Sequence, residues 1–166
     1  RNNAAWRHYE KFEFNEALAD YQSLFDYFRG PGKDQIANAF HPWVERHLLY
    51  NQALQHLSLQ QYDKAESLLR ECIAKDPNYF FSNLRMAYVC ERRNQLDEAI
   101  KWTKKALEHR EGLRRDLVDR ESEGLTADAN AYISTLYFRK AAQVLREGAN
   151  KRSLLVVLLT ELLGEV

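Results

Sequence analysis

The chain has 166 residues, enough for one domain with a substantial core and too few to require two. Its 24 basic residues balance 24 acidic ones, which excludes a global field for gathering nucleic acid or an anionic membrane surface. Three prolines, six glycines and two cysteines exclude a collagen-like, loop-dominated or disulfide-framed protein, and the abundant alanine, leucine, glutamate and glutamine point to an all-α chain in a reducing, cytoplasmic setting.

The chain opens on Arg1 without a methionine, which reads as a domain cut from a longer protein, and no basic-then-apolar leader precedes the first helical pattern. Ala5, Phe14, Ala17, Tyr21, Leu24 and Phe25 set the first helical spacing, which ends at Gly30-Pro31-Gly32. Lys33 follows these glycines, but the spacing and the Ser/Thr of a phosphate loop are missing, so the segment is a turn. Residues 32–45 form a surface insertion, with Pro42 suited to the first turn of the next helix.

From Arg46 the chain repeats itself. At a shift of 34 residues Ala53 falls on Ala87, Tyr62 on Leu96, Asp63 on Asp97, Ala65 on Ala99, Cys72 on Ala106 and Ile73 on Leu107. At a shift of 48, Ala5, Phe14, Ala17 and Tyr21 fall on Ala53, Tyr62, Ala65 and Leu69. The copies are therefore about 1–31, 46–79 and 80–113. Small residues recur where paired helices must approach closely, and Cys72 and Cys90 read as small buried apolar residues.

The period, the alanines and the Pro77 that closes the middle copy resemble the tetratricopeptide repeat family over about residues 3–113. The resemblance implies antiparallel helix pairs stacked into a superhelix, and a function in holding a partner protein or peptide along a concave groove lined by the first helix of each pair. Carried onto this chain residue by residue, it places Trp6, Tyr50, Asn51, Leu54, Phe81, Leu84, Arg85, Tyr88 and Arg92 on or near that groove. Aromatic rings beside arginines suit an extended peptide, since rings give area at low entropic cost and guanidinium groups hold carboxylates. The C-terminal helices folded back into the groove are the alternative. One subfamily grips a terminal carboxylate. Asn51 and Arg85 match two of its positions, but Asn2 and Phe81 stand where lysines belong and Trp6 replaces an asparagine, so that specificity is not expected.

Beyond Gly112 the register is lost. Leu113, Leu117 and Val118 keep a helical spacing with Leu107, which suggests that the last repeat helix runs on. The mixed-charge run from Arg110 to Glu123 reads as a solvated helix face. Thr126 is the expected N-cap of a helix over 126–148, and a short helix over 153–163 follows as an atypical cap of the stack. Eight of the eleven positions from Ser153 to Leu163 are apolar, too many for a surface helix with one buried side. A homodimer through Leu154, Leu155, Leu158, Leu159 and Leu162 is therefore expected as an alternative use of the domain.

No catalytic constellation stands out. His8, His41, His47, His56 and His109 have no metal-ligand spacing, so no metal or cofactor is expected, nor is enzyme activity, nucleic-acid binding or membrane insertion. The leading expectation is a scaffold module of a larger signalling or assembly protein. Its rivals are the oligomerisation domain and the non-catalytic part of a larger enzyme.

Overall fold

A computed structural model describes residues 7, 8, 11, 13–30, 41–110, 119–147 and 152–164. Among the described residues all regular structure is helical, in agreement with the all-α expectation. They divide into two compact units, one ending at Pro77 and one beginning at Asn78.

The first unit holds α1 (Phe14–Arg29), α2 (His41–Ser58) and α3 (Tyr62–Lys75). Two helices bury one stripe each, Ala17, Tyr21 and Leu24 on α1 and Ala65, Leu69 and Cys72 on α3, whereas α2 is buried nearly all round, with Leu48, Leu49, Tyr50, Asn51, Gln52, Ala53 and Gln55. Pro42 sits in the first turn of α2, where its missing N–H has no intrahelical partner to lose. Polar contacts fasten the stripes together. Gln52 donates to Gln22 Oε1 at 2.9 Å, and the Glu45 carboxylate accepts from Arg29 of α1 at 3.1 Å and from Lys75 of α3 at 2.5 Å. Arg46 pairs with Asp76 just past the end of α3.

The second unit holds α4 (Phe80–Arg92), α5 (Leu96–Glu108), α6 (Asp119–Arg146) and α7 (Arg152–Gly164). Its core gathers Phe80 from α4, Leu96, Ile100 and Leu107 from α5, Ile133, Leu136 and Val144 from α6, and Leu158 from α7. Burial of this apolar surface is the dominant stabilising term, at about 25 cal/mol per Å² removed from water.

The turns within the helix pairs repeat in detail. After α2, Gln60 adopts φ 57°, its N–H bonds Leu57 O at 3.0 Å and Gln61 N–H bonds His56 O at 2.8 Å. Thirty-four residues on, Asn94 adopts φ 60°, its N–H bonds Glu91 O at 2.9 Å and Gln95 N–H bonds Cys90 O at 2.9 Å. Both are Schellman closures, in which a left-handed residue turns the chain back on the last carbonyls of the helix. Upstream, Glu13 N–H bonds His8 O at 2.9 Å, the same bond at the 48-residue shift. The residues that open the second helices also match: Glu13, Gln61 and Gln95 have φ near −84°, −87° and −90° with ψ 67–68°. A left-handed conformation costs an L residue other than asparagine roughly 1 kcal/mol. Gln60→Gly is accordingly expected to raise the urea midpoint, and Asn94→Gly to change it less. Equal responses would show that the φ at 60 carries no strain.

Two boundaries differ from expectation. The long helix α6 starts at Asp119, so Thr126 is an interior residue and not a cap. Gly124 fails to break it because a glycine in mid-helix costs only about 1 kcal/mol relative to alanine, less than the helix gains from its buried stripe. That stripe omits Leu145, which is exposed. The α5 helix ends at Glu108; its expected continuation through Leu113 and Val118 lies outside the described residues, as does most of the 32–45 insertion.

Candidate partner-binding surface

In the second unit the expected groove residues share one side of α4. Phe81, Arg85, Tyr88 and Arg92 follow i, i+4, i+7, i+11 spacing, which aligns them along a helix of 3.6 residues per turn. Phe81 and Leu84 are half-buried and pack against the core, with the Phe81 ring 5.5 Å from those of Tyr79 and Phe80. Arg85 and Arg92 are exposed, and Tyr88 between them is half-buried. A ligand on this face would meet two guanidinium groups separated by a phenol ring.

Beside that face lies a contact that sequence reasoning missed. The Glu91 carboxylate accepts from the Tyr132 hydroxyl at 2.8 Å and pairs with Arg139, both on α6. Burial and the bond to Glu91 push the Tyr132 phenol well above its ordinary pKa, so it stays a donor. The partners stand 41 and 48 residues from Glu91, beyond any local pattern. On α6, Tyr137 is likewise raised to about 12, chiefly by burial.

In the first unit, Leu54 is half-buried, whereas Tyr50 and Asn51 are buried. These two were expected as ligand contacts and are instead withdrawn from solvent. Trp6, like Asn2, lies outside the described residues.

An open pocket of about 310 Å³ lies between the α4–α5 turn and α6, lined by Asn94, Leu96, Arg139, Gln143, Arg146 and Glu147. Its polar groups already have partners: Arg139 pairs with Glu91, Gln143 Nε2 donates to Glu147 Oε1 at 2.9 Å, and Arg146 Nε donates to Ala142 O at 3.2 Å.

His56 Nδ1 is 2.8 Å from Gln61 Oε1, and burial lowers the pKa of both His56 and His47. His8 stands 3.1 Å from Asp20 and 3.9 Å from Glu13, which occupies the place of Gln61 at the 48-residue shift. Burial raises the Glu45 carboxyl, but Lys75 and Arg29 outweigh it and hold the group below its usual range. Cys72 and Cys90 are buried thiols that form no disulfide, and Cys72 Sγ lies 3.6 Å from Arg46 O. Among the described residues no three potential ligands gather to hold a metal ion.

The residues expected at an oligomer interface separate into two sets. Leu158 is buried and Leu155 and Leu162 pack against the core, so these three are corrected from interface to interior. Leu154 and Leu159 remain exposed, together with Val156, Val157 and Leu163. Tertiary packing selected which side of a nearly uniform helix to bury. No helix among the described residues is long and apolar enough to cross a membrane.

No protein-family model matches the chain, and no curated protein is detectably similar to it.

Proposed function

We infer that the chain is a tetratricopeptide-type interaction module that holds a partner protein or peptide, within a larger signalling or assembly protein and without catalysis of its own. The observation that carries this reading is the recurrence of one turn, with both carbonyl bonds and the opening dihedrals at the 34-residue shift and one of those bonds and the dihedrals at the 48-residue shift, both shifts already apparent in the sequence. Stacked helix–turn–helix units create a concave surface, which in the resembled family is lined by the first helices; here the first helix of the second unit keeps such residues at its surface. In the second unit that surface is the Phe81–Arg92 side of α4. Its mixture of exposed arginine and part-buried tyrosine favours a peptide with acidic and apolar residues in alternation.

A double Arg85→Ala, Tyr88→Ala variant tests the reading. It is expected to keep its helical circular dichroism and thermal midpoint, since Arg85 is exposed and Tyr88 only half-buried, and to lose the partners captured by the unmodified chain. Recovery of the same partners by the variant would remove α4 from the account.

A further inference from the structure

The recurrence of small residues stops near Gly112, but a recurrence of burial continues past it. At a shift of 50 residues Asn83, Met86 and Ala87 of α4 fall on Ile133, Leu136 and Tyr137 of α6, each at most 1% exposed. At a shift of 55, Ile100, Thr103 and Leu107 of α5 fall on Leu155, Leu158 and Leu162, the side of α7 that packs on the core. The packing order agrees: α6 packs on α5 as α2 packs on α1, and α7 pairs with α6 as α5 pairs with α4. The α6–α7 pair thus has the burial and packing order of a further copy, masked in the sequence because Tyr137 stands where the small Ala87 would recur.

The helix α6 also runs in the direction of α4. Asp97 at the start of α5 holds Lys140, whereas Lys104 further along α5 stands 5.4 Å from the centre of the Tyr137 ring. Hence α6 is antiparallel to α5, as α4 is across its short turn. The two parallel helices touch through Glu91 of α4, which holds Tyr132 and Arg139 of α6. Around α4, Glu91 lies about 60° to one side of Tyr88, and around α6, Tyr132 and Arg139 lie about 100–120° to the other side of Phe138. For parallel neighbours these opposite senses leave the Phe81–Arg92 strip of α4 on the same side of the unit as Ala131, Thr135, Phe138 and Ala142. Ala131, Thr135 and Phe138 are exposed, Phe138 by 66%, and Ala142 is half-buried.

We propose that α6 extends the α4 surface, and that Phe138 takes a large apolar side chain of the same peptide. The proposal rests on the α4 reading above and adds a specificity-determining residue to it. Phe138 occupies on α6 the place that Tyr88 occupies on α4, and the strip it belongs to is continuous with the α4 strip across the Glu91 contact. Arg92 follows Glu91 in sequence and Phe138 precedes Arg139, so the Glu91–Arg139 ion pair brings the Arg92 guanidinium and the Phe138 ring to neighbouring places on that side. Arg85 and Arg92 fall on Thr135 and Ala142, so the carboxylate-holding groups of α4 have no counterpart beside Phe138; charge returns at the ends of the strip, with Asp128 and Arg146. The small side chains around the ring leave room for a peptide main chain, and the ring gives contact area at low entropic cost. The occupant is therefore a peptide with acidic residues over Arg85 and Arg92 and a large apolar residue over Phe138.

Fluorescence anisotropy with two labelled synthetic peptides tests it, one alternating glutamate with leucine and the other alternating glutamate with serine. The unmodified chain is expected to bind the leucine peptide about tenfold more tightly than the serine peptide. Phe138→Ala is expected to abolish that preference while leaving the affinity for the serine peptide and the helical content unchanged. Thr135→Glu, on another exposed position of the strip, sets a carboxylate against those of both peptides and is expected to weaken both, which gives a second disruption should Phe138→Ala lose helical content. Val156→Ala removes exposed apolar surface from α7 and is expected to change neither affinity. Arg85→Ala with Tyr88→Ala is expected to weaken both peptides. If it does so while Phe138→Ala and Thr135→Glu bind both peptides as the unmodified chain does, the role of Phe138 is overturned and the α4 reading stands. If neither peptide binds, or the Arg85→Ala, Tyr88→Ala variant binds both unchanged, the α4 reading fails and this proposal with it.

Discussion

Leu136→Ala is expected to destabilise the second unit by about 2–5 kcal/mol, the largest single effect anticipated here. Leu136 is fully buried in α6 within the cluster that joins Phe80, Ile100, Ile133 and Leu158, so four helices supply that cluster. Removing most of the side chain forfeits its transfer free energy and leaves a cavity that long, mutually packed helices cannot easily close. Urea unfolding followed by circular dichroism measures the loss. Leu145→Ala, on the same helix but 63% exposed, serves as the internal comparison and should stay within about 0.5 kcal/mol of the unmodified chain. If the two variants unfold alike, α6 does not bury the side assigned to it.

Ala99→Leu is expected to cost about 1–3 kcal/mol for the opposite reason, too much volume. Ala99 lies in the first turn of α5 with no exposed surface, and its N–H bonds Gln95 O at 3.0 Å, so the backbone there is held by the turn. Ala87 of α4 is equally buried, and small side chains on both helices of a pair permit close approach of their axes. A leucine must push the helices apart or adopt a strained rotamer. Ala65, at the matching place in α3, has the same burial and the same bond to the residue four before it. Ala65→Leu should therefore carry a similar cost, and thermal unfolding of the two variants side by side measures it. An unchanged midpoint for Ala99→Leu would mean that the repeat register is misplaced in α5.

Both predictions depend on features of different origin. Ala65 and Ala99 were identifiable from spacing alone, because a repeated unit places its small residues at a repeated distance. The turn that separates the helices was identifiable in the same way. Its left-handed residue was not, since glutamine at position 60 gives no local sign of the conformation it adopts. Helix type was legible because few breakers interrupt long runs of good helix formers. The start of α6 was not, because Gly124 and Thr126 imitate a stop and a cap that tertiary packing overrides.

The binding surface divides along the same line. The spacing of Phe81, Arg85, Tyr88 and Arg92 on one helix side is a local property, so the sequence determines it. Whether those side chains meet solvent depends on what packs beside them, and the Glu91 contact with Tyr132 and Arg139 spans more than forty residues. Tyr50 and Asn51 have the same periodicity as their counterparts and are nonetheless buried. The α7 helix is the clearest case. Eight apolar positions in eleven establish that some apolar surface must be left over, but not which, because a helix apolar nearly all round has no preferred side of its own. Only the tertiary structure turns Leu155, Leu158 and Leu162 inward and leaves Val156, Leu159 and Leu163 to water, because packing these three leucines against the core of the second unit fixes the rotation of α7.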